Sequence, residues 1–273
     1  MKGVKTMALF SLVIPNYNSE KWIVRLLDSV RNQTFKDYNV IIIDDMSTDN
    51  SPEIIKEYIS EHDLFLDWFF DVSTKKLYNG GGRNWGVEIA DGEYILFADC
   101  DDYFYKNTAF EEIAKAIEKN NYPDMVRLPY RFEDIGVGDV YTPIQEKTLE
   151  AITHSVFVAP WTKCIKRKLF VPFPENTLIE DIVQHIAQMD IIETVAYCPI
   201  PIIVWNRRNS GAISANKRTY TKDDKRYSSI WRNVADLYDL KPQHSYCIAE
   251  KEKRLNFYLE RIRKGTEFSI INH

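Results

Sequence analysis

The stretch LFSLVIPNYN, from Leu9 to Asn18, decides the fold class. Its first six residues are mostly apolar and end at Pro15, so they predict a short strand that is buried on both faces. Ser19 predicts the N-cap of a helix, because apolar residues at helical spacing follow it. The chain therefore begins with a strand and a helix in succession.

The same pattern recurs through the first 100 residues. Val40–Ile43 and Tyr94–Ala98 predict further buried strands, Leu64–Phe70 is another strand candidate, and a helix is predicted from Ser51. Such alternation predicts an α/β fold with a Rossmann-like, mostly parallel central sheet flanked by helices. Ligands of such sheets bind at the carboxyl ends of the strands. The polar residues after three strands should therefore share one rim: Pro15–Asn18, Asp44–Ser47 and Asp99–Asp102.

The composition is that of a folded, globular protein. The 273 residues are 45% hydrophobic and 27% charged, which excludes global disorder. The four cysteines have no CxxC spacing, so we expect no zinc site, no disulfide and a reducing compartment. The longest apolar runs are too short for a membrane helix, and the run before Pro15 is interpreted as a strand rather than a signal peptide. We expect a cytoplasmic protein.

The second half of the chain has weaker signals and a different charge. Helices are predicted at Thr108–Asn120 and Glu180–Met189, whereas Phe132–Glu150 has few signals. Residues 205–273 carry 15 Lys and Arg against 8 Asp and Glu, a charge of +7 on a chain of −5. We expect a nucleotide-binding half (1–103), an acceptor-binding half of the same domain (104–218) and a basic helical C-terminal extension (219–273). The basic extension suggests an anionic partner, either a membrane leaflet or, less favoured, nucleic acid.

The acidic cluster Asp99-Cys100-Asp101-Asp102 predicts a divalent metal. Like charges this close repel each other unless a cation or hydrogen bonds offset them. A few carboxylate oxygens suit Mg²⁺ or Mn²⁺ shared with a substrate phosphate. The competing interpretation, a solvated turn, is disfavoured by the position of the cluster at a strand end.

Two further segments predict nucleotide contacts. The carboxylates of Asp44-Asp45 can accept the N3–H of a uracil or thymine ring, on which Tyr17 can stack. The Gly80–Asn84 segment is interpreted as a loop that brings backbone and the Arg83 guanidinium to a diphosphate. Its spacing does not fit the dinucleotide fingerprint.

Five motifs in order resemble a family 2 glycosyltransferase of the GT-A fold. They are SLVIPNYN (11–18), IDDMSTD (43–49), GRNWG (82–86), GEYI (92–95) and DCDD (99–102). The resemblance continues more weakly through Trp161–Lys163, Ile179–Asp181 and Ser210–Ser214. It implies an inverting hexosyltransferase that uses a nucleotide-sugar donor, most simply a UDP-sugar, with Mn²⁺ or Mg²⁺.

The resemblance also implies roles for individual residues. Asp181 corresponds to the general base, Asp101 and Asp99 to metal ligands, and Trp161, Lys163 and Glu180 to the acceptor side. The residues expected to bind the nucleotide-sugar are Pro15, Tyr17, Asn18, Asp44, Asp45, Gly82, Arg83, Asp99 and Cys100. Cys100 and Ala212 stand where the family more often has other small residues. His154 and His185 are interpreted as structural.

Other functions fit less well. A phosphatase of the HAD type would need Thr or Val where this chain has Tyr103, and a nucleotidyltransferase would need a Gly-rich loop after the first strand. A catalytically inactive glycan- or nucleotide-binding module on the same scaffold remains the alternative. The acceptor stays open among lipid-linked oligosaccharides, cell-surface polymers, proteins and nucleic acids, and the protein could contact the inner face of the membrane peripherally.

Overall fold

The computed structural model of the chain describes residues 7–134, 138–142, 148–155, 158–175, 177, 180–208 and 225–263. The strands are β1 (Phe10–Asn16), β2 (Tyr38–Asp44), β3 (Trp68–Val72), β4 (Tyr94–Phe97), β5 (Tyr103–Phe104), β6 (Met125–Arg127), β7 (Tyr130–Asp134), β8 (Gly138–Thr142), β9 (Lys163–Lys166), β10 (Val195–Tyr197) and β11 (Ile203–Asn206). The helices are α1 (Ile23–Arg31), α2 (Ser51–Glu61), α3 (Tyr78–Ile89), α4 (Ala109–Lys119), α5 (Leu149–Thr153), α6 (Asp181–Met189), α7 (Lys225–Asp239) and α8 (Ser245–Arg263). Short 3₁₀ turns flank β9.

The central sheet has seven strands in the order β10-β6-β9-β4-β1-β2-β3. Neighbours pair in parallel, except that β9 lies antiparallel between β4 and β6. Every residue of β1 and β4 is buried, because helices cover both faces of the sheet. The predicted α/β fold with a mostly parallel sheet is confirmed.

A second sheet stands beside the rim of the first. Its order is β5-β11-β7-β8, and β5 begins directly after the acidic cluster. The segment Phe132–Glu150, which has few sequence signals, contributes to β7 and β8, and these two strands pair as a hairpin. The neighbouring strands β10 and β11 join different sheets: β10 pairs with β6 in the central sheet and β11 pairs with β7 in the second one. These strands form through backbone pairing with distant parts of the chain, which the local spacing of apolar residues does not indicate.

The C-terminal helices pack on the body of the protein through a second core. Its buried members come from β6, β9, α5 and α6 as well as α7 and α8: Met125, Ile152, Ile165, Val183, Ile186, Met189, Ile192, Val234, Leu237, Cys247 and Tyr258. Leu255, Leu259 and Ile262 of α8 also pack against this core. The basic extension is therefore anchored, while its boundary at residue 219 stays a prediction.

No helix in the described part of the chain combines the length and apolarity needed to cross a membrane.

Candidate active site

The loops after β1 and β2 are tied together beneath the rim. Asp44 is fully buried, and its carboxylate accepts hydrogen bonds from Asn16 Nδ2 (2.7 Å), the Ser47 amide (2.9 Å) and Ser47 Oγ (2.6 Å). Asn18 Oδ1 accepts the amide of Thr48 at 2.8 Å. These contacts give Asp44 and Asn18 a structural role in shaping the rim. Their predicted contacts with the donor stay predictions.

Asp45 holds the segment that leads into α3. Its two carboxylate oxygens accept the amides of Leu77 (2.5 Å) and Tyr78 (2.9 Å), and Lys76 Nζ lies 2.8 Å from Asp45 Oδ2. The same ammonium sits 3.2 Å from the centroid of the Tyr17 ring. The structure thus brings Tyr17 and Asp45 together, as expected, and places between them a lysine that sequence reasoning missed.

The glycine-rich segment is helical, which corrects the predicted loop. Gly80, Gly81 and Gly82 lie in the first turns of α3, and all three are buried. A Cβ at Gly80 would stand 2.7 Å from the carbonyl oxygen of Pro174. The glycines therefore let α3 approach its neighbours closely. Gly82 lies under Pro15 rather than in an open diphosphate loop.

Arg83 is the centre of a buried ionic network. Its side chain is 2% exposed, and its guanidinium lies 2.6 Å from Asp99 Oδ1 and 2.6 Å from Glu180 Oε1. Asp181 Oδ1 is 3.9 Å away. The network joins the end of β4 to the start of α6. It therefore joins the predicted metal ligand to the predicted base.

Asn84, next along α3, clamps the segment that precedes α6. Its side-chain amide donates to the carbonyl of Phe173 at 2.9 Å and accepts the Phe173 amide at 2.8 Å. The Phe173 ring lies 5.3 Å from the Arg83 guanidinium carbon. Helix α3 thus fixes the entry into α6 from two adjacent residues.

Asp181 begins α6 with one oxygen inside the protein. Asp181 Oδ1 is buried without a hydrogen bond, although the side chain as a whole is 36% exposed. Burial and the neighbouring charge of Glu180 raise the pKa of Asp181 well above its ordinary value, against the opposing effect of Arg83. A carboxylate with a raised pKa and an exposed edge has the properties of a general base.

Within the acidic cluster, Asp102 has one carboxylate oxygen, Oδ2, that is buried without a hydrogen bond. Its Oδ1 accepts the Asn206 amide at 2.8 Å. Burial and the charges of Asp101 and Asp99 raise the pKa of Asp102 well above its ordinary value. Burial likewise raises the pKa of the Cys100 thiol. Asp99 is paired with Arg83, and Asp99 and Asp101 carry carboxylate oxygens of the kind that a divalent cation prefers.

In the described ranges, no group of three or more His, Cys, Asp and Glu side chains is arranged to hold a metal ion.

The residues expected on the acceptor side are buried in this structure. Trp161, Lys163 and Glu180 are each at most 3% exposed. Trp161 packs edge-on against Tyr130, with ring centroids 5.2 Å apart, because a large ring gains more from the core than from solvent. Their predicted contacts with the acceptor stay predictions.

The Lys163 ammonium contacts a buried histidine. Its ammonium donates to the Val158 carbonyl (2.9 Å) and to His185 Nδ1 (3.1 Å), and His185 Nε2 donates to the Ile152 carbonyl (3.1 Å). Burial, with Arg127 nearby, lowers the pKa of Lys163 to about 7, and burial also lowers the pKa of His185. The interpretation of His185 as structural agrees with this geometry. His154 is likewise bound to Glu250, at 2.8 Å.

An aromatic surface beside the site was also missed. Trp205 and Phe132 occupy paired positions on β11 and β7, and the Arg207 guanidinium carbon lies 5.3 and 5.2 Å from their rings. The strand pairing that creates this surface has no local signal. The motifs at Ile179 and Ser210–Ser214 lie outside the described residues.

Comparison with known proteins identifies the family. The sequence profile of Glycosyl transferase family 2 matches residues 11–165, more than half of the chain. The protein belongs to glycosyltransferase family 2. The predicted family is thereby confirmed.

One curated relative is the poly(ribitol-phosphate) β-N-acetylglucosaminyltransferase TarS of Staphylococcus aureus, 38% identical over 104 residues. That stretch is 37% of this chain and 18% of TarS, so the match spans less than a fifth of the relative.

Solved structures share the fold over nearly the whole chain. The structure of S. aureus TarS residues 1–349 with UDP-GlcNAc superposes with a TM-score of 0.70 at 23% identity, covering 93% of this chain and 72% of that one. A mannosyltransferase of Pyrobaculum calidifontis, solved with GDP-Man and Mn²⁺, gives a TM-score of 0.58 at 15% identity, covering 94% and 70%. Both likenesses support the GT-A fold.

Proposed function

We propose that this protein is an inverting glycosyltransferase that moves a sugar from a UDP-sugar to an acceptor hydroxyl by metal-assisted single displacement. The Arg83 network carries the proposal, because it holds Asp99 and the Glu180-Asp181 pair against one cation. Family membership supports transfer from a nucleotide-sugar donor. The UDP-GlcNAc bound by TarS and the exposed Tyr17 ring support UDP as the carrier.

Asp101 and Asp99 are the residues that would hold Mn²⁺ or Mg²⁺. When bound there, the metal would offset the negative charge of the departing diphosphate. Arg83 would orient Asp99 there, because its guanidinium donates a hydrogen bond to Asp99 Oδ1 at 2.6 Å. Pro15, Tyr17, Asp45, Gly82 and Cys100 would complete the donor side.

Asp181 would act on the acceptor. As the acceptor oxygen attacks the anomeric carbon, its proton passes to Asp181, and the bond from that carbon to the diphosphate oxygen breaks with its electron pair. Attack opposite the leaving group inverts the anomeric centre. Arg83 keeps the base beside the donor, so that both partners of the displacement are held in one place.

The acceptor proposed is a hydroxyl of a cell-surface polymer. The name of TarS, which acts on a poly(ribitol-phosphate), supports this class. The rings of Trp205 and Phe132 offer faces on which a sugar or polyol can pack, with Arg207 for a phosphate. A cytoplasmic location with peripheral contact between the basic extension and an anionic leaflet is part of the proposal. Salt-sensitive sedimentation with anionic liposomes, absent with neutral ones, would test that contact.

The test of function is release of UDP from a panel of UDP-sugars, with Mn²⁺, Mg²⁺ or chelator, in the presence and absence of polyol-phosphate and glycan acceptors. We expect metal-dependent UDP release that increases with acceptor and is lost in Asp101→Ala. Saturable UDP binding with no turnover on any donor would contradict the proposal. It would favour the alternative, a binding module on the same scaffold.

A further inference from the structure

Lys76 covers a face of the Tyr17 ring, on which a nucleotide base is proposed to stack. Its ammonium is 3.2 Å from the centroid of the Tyr17 ring, a ring that is 46% exposed at the rim. Planar rings in contact are separated by about the same distance, since carbon atoms meet at roughly 3.5 Å. Any base on this face of Tyr17 therefore meets the Lys76 ammonium.

The carboxylate of Asp45, which the sequence suggested as the acceptor for the base, is already engaged. One oxygen accepts the Leu77 amide, and the other accepts the Tyr78 amide and the Lys76 ammonium. The carboxylate is 6% exposed, whereas Lys76 is 36% exposed. Asp45 is thus the buried anchor, and Lys76 is the group that faces the opening.

The anchor also limits where Lys76 can go. The backbone on its carboxyl side is fixed by the hydrogen bonds that the Leu77 and Tyr78 amides donate to the Asp45 carboxylate. The ammonium also donates to the Asp45 carbonyl at 3.1 Å. The four-carbon stem of a lysine is flexible enough to slide off the ring and stay beside Asp45. A base that stacks on Tyr17 would then have the ammonium at its edge.

We propose that Lys76 selects the nucleotide base by donating a hydrogen bond to the O4 carbonyl oxygen of a uracil ring stacked on Tyr17, the position at which cytosine has an amino group. An ammonium has three donors and no acceptor, so it bonds a carbonyl and rejects an amino group. Uracil has a carbonyl on both sides of N3, cytosine has an amino group on one side, and adenine has no carbonyl. The inference rests on the proposed nucleotide-sugar activity and names the residue that makes it specific for uridine.

Equilibrium binding of UDP, CDP and ADP to the full chain tests the inference without turnover. Lys76→Met keeps the length of the stem and removes the donors, while Lys75→Met removes the same charge from the exposed neighbouring residue. A charge-assisted hydrogen bond is typically worth a factor of about 10 to 100 in affinity. We expect Lys76→Met to weaken UDP binding by at least about 10-fold with little change for CDP and ADP, and Lys75→Met to bind all three like the wild type.

Two outcomes would overturn the inference. If Lys76→Met bound UDP as tightly as, or more tightly than, the wild type, the ammonium would only cover Tyr17. If the ratio of UDP to CDP affinity did not change, Lys76 would not read the base. A wild-type preference for UDP that depends on Lys76, but without any sugar transfer, would contradict the proposed function and leave this inference standing.

Discussion

At the scale of single residues, Asp181 combines one buried oxygen with an exposed edge. Because the proposed base acts on the acceptor, Asp181→Asn should leave the affinity for UDP unchanged and lower kcat by on the order of 100-fold or more. Initial rates and equilibrium UDP binding measured on the same preparation check this. An unchanged kcat with a raised KM for the donor would make Asp181 a binding residue instead.

The raised pKa of Asp181 predicts a pH dependence. A base works only when deprotonated, so activity should rise with pH on the acid side and reach half its plateau well above the pKa of about 3.9 of a free aspartate. Glu180→Gln removes the neighbouring negative charge, which should move this limb to lower pH. Profiles of kcat/KM for both proteins check the direction, and a limb that stays in place in Glu180→Gln would contradict it.

Arg83 is predicted to contribute to the stability of the fold as well as to the electrostatics of the site. Arg83→Met would leave the carboxylate of Glu180, 4% exposed, without its cation, and breaking a buried pair in this way costs about 3 to 5 kcal/mol in the free energy of unfolding. Urea denaturation checks the loss. The double variant Arg83→Met/Glu180→Gln is the control and should recover part of it. Equal midpoints for the single variant and the wild type would show that the network carries no stability.

Some of these site residues could be predicted from the sequence and others could not, for a physical reason. Asp99 ends an apolar strand and Asp181 starts an amphipathic helix, so local patterns expose both. The partner of Arg83 is Glu180, 97 positions away, and only the fold brings them to 2.6 Å. Lys76 belongs to no periodic pattern. Its proposed role depends on its contact with the Tyr17 ring, which only the fold creates.

At the scale of elements, α3 packs so closely on β1 that a side chain at Gly86 would clash with Val13. A Cβ at Gly86 would stand 2.3 Å from Val13 Cγ1, so Gly86→Ala should destabilise the protein by about 1 to 3 kcal/mol. At Gly82 the nearest atom, Pro15 Cβ, would be 3.4 Å away, and Gly82→Ala should be neutral or stabilising by up to about 1 kcal/mol through helix propensity.

Thermal or urea unfolding of the two alanine variants compares them directly. Val13→Ala in the Gly86→Ala background should restore part of the loss, because it removes the atom that clashes. Equal destabilisation at Gly82 and Gly86 would contradict the packing argument.

The glycines of α3 also explain why the sequence predicted a loop at Gly80–Asn84 where the structure has a helix. Three consecutive glycines favour a turn when only local conformational entropy is considered. In this fold the absence of side chains lets a helix lie against the sheet and Pro174, and the packing gained outweighs the poor helix propensity. The strands of the second sheet were missed for a similar reason, since their partners lie far away in the chain.

At the scale of the whole molecule, Glu250 joins the C-terminal helices to the body. Its buried carboxylate lies 2.6 Å from Arg254 Nε within α8 and 2.8 Å from His154 Nδ1 at the end of α5. Burial opposes ionisation, but hydrogen bonds from His154 and Arg254 outweigh it and lower the pKa of Glu250. A lowered pKa contributes stability above the pKa of the unfolded chain, and this stability is lost as the pH falls through the folded-state value.

Glu250→Gln should therefore lower the free energy of unfolding by about 2 kcal/mol at neutral pH, with a smaller difference from the wild type below about pH 4. Urea denaturation at several pH values measures this. Glu252→Gln, on the exposed face of the same helix, is the matched control and should have no effect. A deficit that is constant across pH would show that the charge of Glu250 is not its source.

The cysteines give the protein a chemical reporter at its own rim. All four are free, and Cys164, Cys198 and Cys247 are buried, whereas Cys100 is partly exposed within the acidic cluster. Alkylating reagents react with the thiolate, so the raised pKa of Cys100 makes its labelling slow at neutral pH. Modification of the native protein should begin at this single position, and mass spectrometry of alkylated peptides would follow its rate. Protection of Cys100 by UDP would then report occupancy of the site without an acceptor, a sugar or a coupled assay.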